Sequence, residues 1–314
     1  MKDKIIWGVI FVFCATLVVS CGKEREDDFV PSISGKNFFT VNVPEMNNDK
    51  GTKAHFSNQS FLSLIYDNND IVRINNVPFT LVNQGGTWYA QGSAADMTSA
   101  TNDSLLGDVF YCMYNKTPSS QNTYGSGYYD MNFHGNSRQS VRKWNEMIDG
   151  KNCTVTETHT MYNSGIVIAG RTTDTVISMY PSFAIIRIFT EYEYDTIAIG
   201  FDDNKVLLSG KLLPQEGSLP TVSNTSYLEG VKRIGPGTSG PSAKKVTIKG
   251  DLLVANRNDV SGNGDYRYHV YVPLASDGIS TTLYLWIKDG SDIYTRKTSM
   301  SLSRGSIYTL NIDE

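Results

Sequence analysis

Phe183-Ala184-Ile185-Ile186-Arg187-Ile188-Phe189 is apolar at every position except Arg187. Successive side chains of a strand point to opposite faces, so this segment is apolar on both and suits an inner strand. The surrounding sequence reads the same way. Phe79-Thr80-Leu81-Val82 and Thr87-Trp88-Tyr89-Ala90 flank Asn83-Gln84-Gly85-Gly86. The glycines supply the positive φ that a hairpin turn requires. A second hairpin is predicted from Leu283–Ile287 and Ile293–Lys297 around Lys288-Asp289-Gly290-Ser291. Tyr266, Tyr268, Val270 and Val272 alternate with Arg267, His269 and Tyr271, the pattern of a strand with one buried face. Tyr308, Leu310 and Ile312 alternate near the C-terminus.

Helix is scarce. Val141-Arg142-Lys143-Trp144-Asn145-Glu146-Met147-Ile148, ahead of Gly150, is the best candidate. Many short strands with Gly, Asn, Asp and Ser between them point to an all-β fold of β-sandwiches. A break at Gly170-Arg171-Thr172-Thr173-Asp174 divides the chain into an N-terminal domain, 37–172, and a C-terminal domain, 173–314. Gly235-Pro236-Gly237-Thr238-Ser239-Gly240-Pro241 reads as a loop within the second.

Residues 1–20 have the three parts of a secretory signal: Lys2 and Lys4, an uncharged apolar run from Ile5 to Val19, and Leu17-Val18-Val19-Ser20-Cys21. The run is shorter than the roughly 20 residues of a spanning helix. Its ending resembles a bacterial lipobox, in which the cysteine is acylated and becomes the new N-terminus, so Cys21 is the expected lipid attachment site. The competing reading is an uncleaved anchor helix. Residues 21–36, with Lys23-Glu24-Arg25-Glu26-Asp27-Asp28, read as a solvated tether. A Lys and acidic residues after the lipid cysteine resemble a surface-export signal of gut and oral anaerobes; a periplasm-facing lipoprotein is the alternative. Expected localisation is the cell outer membrane.

The 314 residues carry 28 Lys and Arg against 32 Asp and Glu, a net charge of −4, and removal of Lys2 and Lys4 makes the balance more negative. That argues against nucleic acid as a partner. Cys112 and Cys153 can pair in an oxidising compartment or stay as buried thiols.

No Gly-x-Ser-x-Gly elbow, phosphate loop or His-Glu-x-x-His is present, and His55, His134, His159 and His269 are scattered. No catalytic residue, cofactor or metal is expected. Glu191, Glu193 and Asp195 alternate with Tyr192 and Tyr194. At strand spacing this gives a carboxylate face, read as a solvated sheet surface in preference to a calcium or glycosidase site. Tyr124, Tyr128 and Tyr129, spaced by Gly125 and Gly127, are candidate glycan contacts, with Asp130, Asn132 and Trp88 as helpers; packing on their own domain is the competing reading. Asp103-Ser104-Leu105, Asp174-Thr175-Val176 and Asp195-Thr196-Ile197 resemble an O-glycosylation acceptor triplet.

Taken in order, several segments resemble the fimbrillin family of pilus subunits and adhesins. Thr52-Lys53-Ala54-His55-Phe56 stands for Thr-Arg-Ala-x-Phe, and Asn69-Asp70-Ile71-Val72-Arg73-Ile74 for a Gly-Asp-x-Ile strand. Gly86-Thr87-Trp88-Tyr89 and Asp108-Val109-Phe110-Tyr111-Cys112-Met113-Tyr114 follow, with Asn115 in place of a proline. The inner strand at Phe183, then Tyr271-Val272-Pro273-Leu274 and Gly305-Ser306-Ile307-Tyr308-Thr309-Leu310-Asn311-Ile312, complete the set. The resemblance implies two tandem transthyretin-like β-sandwich domains. It also implies a lipidated precursor, cut by a trypsin-like protease and polymerised by strand complementation with other fimbrillin-like subunits. The cut maps to Lys53–Ala54, a departure from the usual Arg, with Lys50 nearby. Host or bacterial surface glycans or proteins are further expected partners. A surface glycan-binding lipoprotein of a polysaccharide-uptake system is the alternative function.

Overall fold

Segments rich in β-branched and aromatic residues form strands almost throughout, because their side chains suit a pleated, buried surface. The computed structural model describes residues 38–42, 47–48, 66–101, 109–116, 123–125, 127–235, 245–258 and 266–313. The expected signal peptide and tether lie outside these. The N-terminal part supplies β1 (Phe38–Asn42), β2 (Asn47–Asn48), β3 (Ile71–Ile74), β4 (Val77–Gln84), β5 (Thr87–Gln91), α1 (Ala94–Thr101) and β6 (Phe110–Lys116). The middle forms β7 (Thr123–Gly125), β8 (Tyr128–Asn132), β9 (His134–Ile148), β10 (Lys151–Ser164), β11 (Ile166–Thr172), β12 (Val176–Ser178) and β13 (Tyr180–Pro181). Then come β14 (Phe183–Thr190), β15 (Thr196–Phe201), β16 (Leu207–Leu213), β17 (Thr221–Tyr227), β18 (Lys232–Ile234) and β19 (Lys245–Val254). The series ends with β20 (Asn256–Asn258), β21 (Tyr266–Pro273), β22 (Ile279–Asp289), β23 (Asp292–Leu302) and β24 (Ser306–Asn311).

The first sheet runs β12-β1-β5-β4-β3-β6-β11-β13. Its two end strands are separated only by Met179, so the sheet closes on itself through the segment 176–181. Gly170 permits this closure: a Cβ there would lie 2.0 Å from the Ser178 carbonyl oxygen. Phe39, Phe79, Leu81, Trp88, Phe110 and Ile168 fill the interior.

β14 belongs to a five-stranded sheet, β2-β24-β14-β21-β20. Phe183 and Ile185 join the core of the closed sheet, together with Tyr271 and Ile307. Ala184, Ile186 and Ile188 join a second core with Ile197, Ile199, Leu283 and Leu285. The double-faced burial read from the sequence is therefore observed, with Arg187 accommodated by a 3.0 Å bond from its Nη2 to Thr309 Oγ1. β21 departs from expectation. It lies beside β14 in the sheet that separates the two cores, so Tyr271 faces the first and Tyr268, Val270 and Val272 the second, and His269 is buried as well.

The second core is closed by a seven-stranded sheet, β23-β22-β15-β19-β10-β9 with β18 on β19. Its far face is also apolar, with Met161, Leu252, Tyr284 and Trp286 all nearly inaccessible. The sheet curls over that face, and Arg142 Nη1 of β9 donates to the Ile293 carbonyl of β23 at 3.4 Å. A four-stranded sheet, β17-β16-β8-β7, packs Tyr129, Met131 and Leu212 onto Met113, Val167 and Ala169 of the closed sheet, joined by Phe133 from the link between β8 and β9. Strands on either side of residue 172 pair with each other, as in β8–β16, β10–β19 and β1–β12.

The helix expected at 141–148 is instead the second half of β9. Exposure alternates with period 2 there, and Trp144 faces Val155 of β10 in antiparallel register. Asp149 and Gly150, at φ 49° and 72°, form the two-residue turn of a hairpin. Among the described residues helix is confined to α1, which is short and capped. Ser93 Oγ accepts the Asp96 N–H at 3.1 Å, and Asp96 Oδ2 accepts the Ser93 N–H at 2.7 Å, a reciprocal box.

Because β14 lines two cores, damage to either should be felt in both. Ile185→Ala is expected to cost about 2–5 kcal/mol. In urea titrations, Trp88 fluorescence in the closed sheet and Trp286 fluorescence in the curled sheet should shift together. Separate midpoints for the two reporters would overturn this coupling.

Candidate functional site

The site with the plainest physical character is the slot occupied by β1. Phe39 and Val41 point inward and are almost fully buried, while Thr40 and Phe38 are half-buried. The Phe39 ring meets Phe110 edge-on at 4.9 Å and Phe79 at 5.5 Å. β1 pairs antiparallel with β5, Phe39 opposite Ala90 and Val41 opposite Trp88, and parallel with β12, Thr40 opposite Val176. The Thr40 N–H donates to the Thr175 carbonyl at 2.9 Å. β1 thus holds two sheet edges together. Its withdrawal would expose unpaired backbone on β5 and β12 and an apolar groove between them.

β2 pairs with β24, Asn47 opposite Ser306 and Asn48 opposite Ile307. The chain next enters the described residues at Tyr66. Lys50, Lys53, Ala54 and His55 fall between these points, outside the described residues, as do Cys21 and Asp103-Ser104-Leu105. A break after Lys53 would separate β1 and β2 covalently from everything that follows.

The tyrosine segment divides. Tyr129 is 1% exposed and its hydroxyl donates to the Tyr111 carbonyl at 2.7 Å, so its ring is core. Trp88 is likewise buried, and neither ring can stack on a sugar. Tyr124 and Tyr128 keep accessible surface. Lys211 Nζ sits 4.1 Å from the Tyr128 ring centre. Asp130, Asn132, Ser209, Lys211 and Asn224 line a shallow concavity of ≈ 260 Å³ beside it.

Glu191, Glu193 and Asp195 do not form a strand face. β14 ends at Thr190, whose Oγ1 donates to Asp313 Oδ1 at 2.8 Å, and the acidic residues lie on the connection to β15. Glu193 pairs with Arg257. Thr175 is exposed in its triplet, whereas Thr196 is half-buried and accepts a 3.4 Å bond from Arg138. Cys112 packs in the first core and Cys153 in a separate cluster with Val155 and Val246, each as a buried thiol with no disulfide between them.

Sequence reading missed one polar cluster. Glu157 and His159 of β10 sit inside the curl of the seven-stranded sheet, where Glu157 Oε1 accepts from His159 Nε2 at 2.8 Å and from the Tyr284 hydroxyl at 2.9 Å. Burial would raise the Glu157 pKa, but these bonds and the charges of His159 and Arg142 outweigh it and hold it below the usual range. The only local signal is the Glu-x-His spacing; Tyr284 arrives from a distant strand.

His134 and His269 are buried too, and burial lowers both to about 4. His134 Nε2 donates to the Leu207 carbonyl at 2.7 Å, and its Nδ1 has no partner among the described residues, so a second proton has no acceptor. Among the described residues no three His, Cys, Asp or Glu side chains converge as a metal site would require. Comparison with models of known protein families finds no match, and comparison with curated proteins finds none.

The unfolded state protonates its histidines near the ordinary value of 6.5, while folded His134 and His269 stay neutral down to about 4. Stability should therefore fall as pH drops across that window, by on the order of 3 kcal/mol per histidine in the limit. Denaturant titrations at pH 7 and pH 4.5 measure the drop. His134→Gln with His269→Gln should remove most of the slope, and an undiminished slope would exclude these residues as its source.

Proposed function

We propose that the protein is a surface lipoprotein of the fimbrillin type, a pilus subunit, anchor or tip adhesin that assembles by β-strand complementation. The carrying observation is β1: an apolar strand seated between two sheet edges and followed by a lysine-bearing connection outside the described residues. Proteolysis after Lys53 leaves β1 held by non-covalent contacts alone, and an extended strand of another subunit can then take its place. Backbone hydrogen bonds supply the affinity, and pockets for alternate side chains, those of Phe39 and Val41, set the register. On this reading the closed sheet and the sandwich of the five- and seven-stranded sheets correspond to the family's two transthyretin-like domains. Cys21 carries the lipid to the cell outer membrane; the cut discards it in a stalk subunit, whereas an anchor stays uncut and keeps it.

Trypsin treatment of the mature protein should give a new N-terminus at Ala54 and heat-resistant multimers. Phe39→Ala, expected to weaken the seat of β1 by about 3–5 kcal/mol, should hasten multimer formation after the cut. A protein that is cut at Lys53 and stays monomeric would overturn the polymerising role.

A second reading, a surface glycan-binding lipoprotein, is favoured by the concavity beside Tyr128, where Lys211, Asp130 and Asn132 surround a partly exposed ring. Tyr128→Ala should then abolish binding to a polysaccharide in a pull-down, whereas retention by this variant would exclude the concavity as the binding site.

A further inference from the structure

The connection from β14 to β15 borders a second and larger hollow of ≈ 650 Å³, which shares no lining residue with the concavity beside Tyr128. Ile197, Val254 and Ala255 contribute apolar surface, and Arg138, Glu193, Tyr194, Asp195 and Arg257 contribute polar or aromatic walls. Hollows of this size accommodate small ligands.

Its walls are fixed in place. The Tyr194 N–H donates to the Tyr268 hydroxyl at 3.1 Å, and that hydroxyl donates to the Tyr194 carbonyl at 3.3 Å, so the loop is clasped at this residue. Glu193 pairs with Arg257. Asp195 Oδ2 accepts the Gly290 N–H at 3.0 Å and lies 3.8 Å from Lys288 Nζ. Arg138 reaches in from β9 to Thr196. Tyr192, 60% exposed, stands beside Tyr194 with ring centres 6.4 Å apart.

The chemistry of these walls selects a ligand class. Guanidinium donors and carboxylate acceptors share one rim, so their charges largely cancel. An anion meets Glu193 and Asp195, and a cation meets Arg138 and Arg257. A neutral polyhydroxylated molecule meets neither penalty, since each hydroxyl both donates and accepts. The half-buried Tyr194, which packs on the second core and lines the hollow, supplies an aromatic wall of the kind on which the C–H face of a pyranose packs. We infer that this hollow is a binding site for a neutral saccharide, held by Arg138, Asp195 and Tyr194.

The inference is independent of strand exchange, because it concerns the uncut chain, and independent of the Tyr128 concavity. Its test is a glycan array of neutral and acidic oligosaccharides, followed by calorimetry of the uncut mature protein with the best neutral binder. Arg138→Ala, at an exposed position, should leave the melting temperature unchanged and weaken binding roughly tenfold or more, about 1.4 kcal/mol. Tyr194→Phe should bind as the native protein does, and Tyr194→Ala should not. Lys151→Ala, exposed at the start of β10 and outside both hollows, should have no effect. Absence of any neutral binder, undiminished affinity in Arg138→Ala, or loss of affinity in Lys151→Ala would each overturn the assignment.

Discussion

Burial of β14 on both faces is the constraint from which the rest of the architecture follows. A strand that is apolar on both sides must be covered on both, and here the covers differ in kind. One is a sheet closed on itself, which receives Phe183 and Ile185. The other is a long, curled sheet, which packs against Ala184, Ile186 and Ile188. Pairing with β21 on one side and β24 on the other leaves β14 no exposed backbone edge over most of its length. The middle sheet is thereby common to two cores, and its neighbours inherit the same demand. β21 buries both faces for this reason, although its sequence alternates as if only one were covered.

The curled sheet answers a second demand. Its outer face carries Met161, Leu252, Tyr284 and Trp286, and no other described sheet covers it. Rolling up removes that face from water, but it also draws Glu157 and His159 into the interior. The paired carboxylate keeps its charge there because two donors converge on a single oxygen. His134 and His269 meet burial in the opposite way, as neutral rings. Polar residues in this protein therefore follow the apolar architecture and are satisfied where it leaves them.

The position of β1 gives this first described strand an unusual mechanical status. It is short, yet it bridges β5 and β12 and plugs the core with Phe39. Its contribution is tertiary, since a five-residue strand has little stability of its own. Such an element is held by backbone pairing and two apolar side chains, contacts that any extended strand of similar pattern can reproduce.

Much of this was legible in the chain. The inner strand at Phe183, the hairpin at Gly85-Gly86 and the hairpin at Gly290 rest on side-chain period and turn chemistry, which are local. The segment 141–148 was misread because a Trp, an Ile and charged residues fit either period over eight positions. The Asp149-Gly150 turn decides for a hairpin, but a glycine after an apolar segment also suits a helix C-terminus. The candidate site was less legible. Tyr124, Tyr128 and Tyr129 look equivalent in sequence, and only packing against Met113 and Leu212 separates the buried Tyr129 from the other two. The hollow at Tyr194 draws residues from β9, β15, β19 and β21, and the cluster at Glu157 joins β10 to the distant β22, so no window of sequence contains either. By itself the sequence determined that the chain is built of strands and which strand lies innermost, because periodicity and two-faced hydrophobicity are properties of a single segment. Which strands close the first sheet, how the long sheet curls, and which polar side chains meet were decided by tertiary structure, because those depend on surfaces that exist only once distant segments pack.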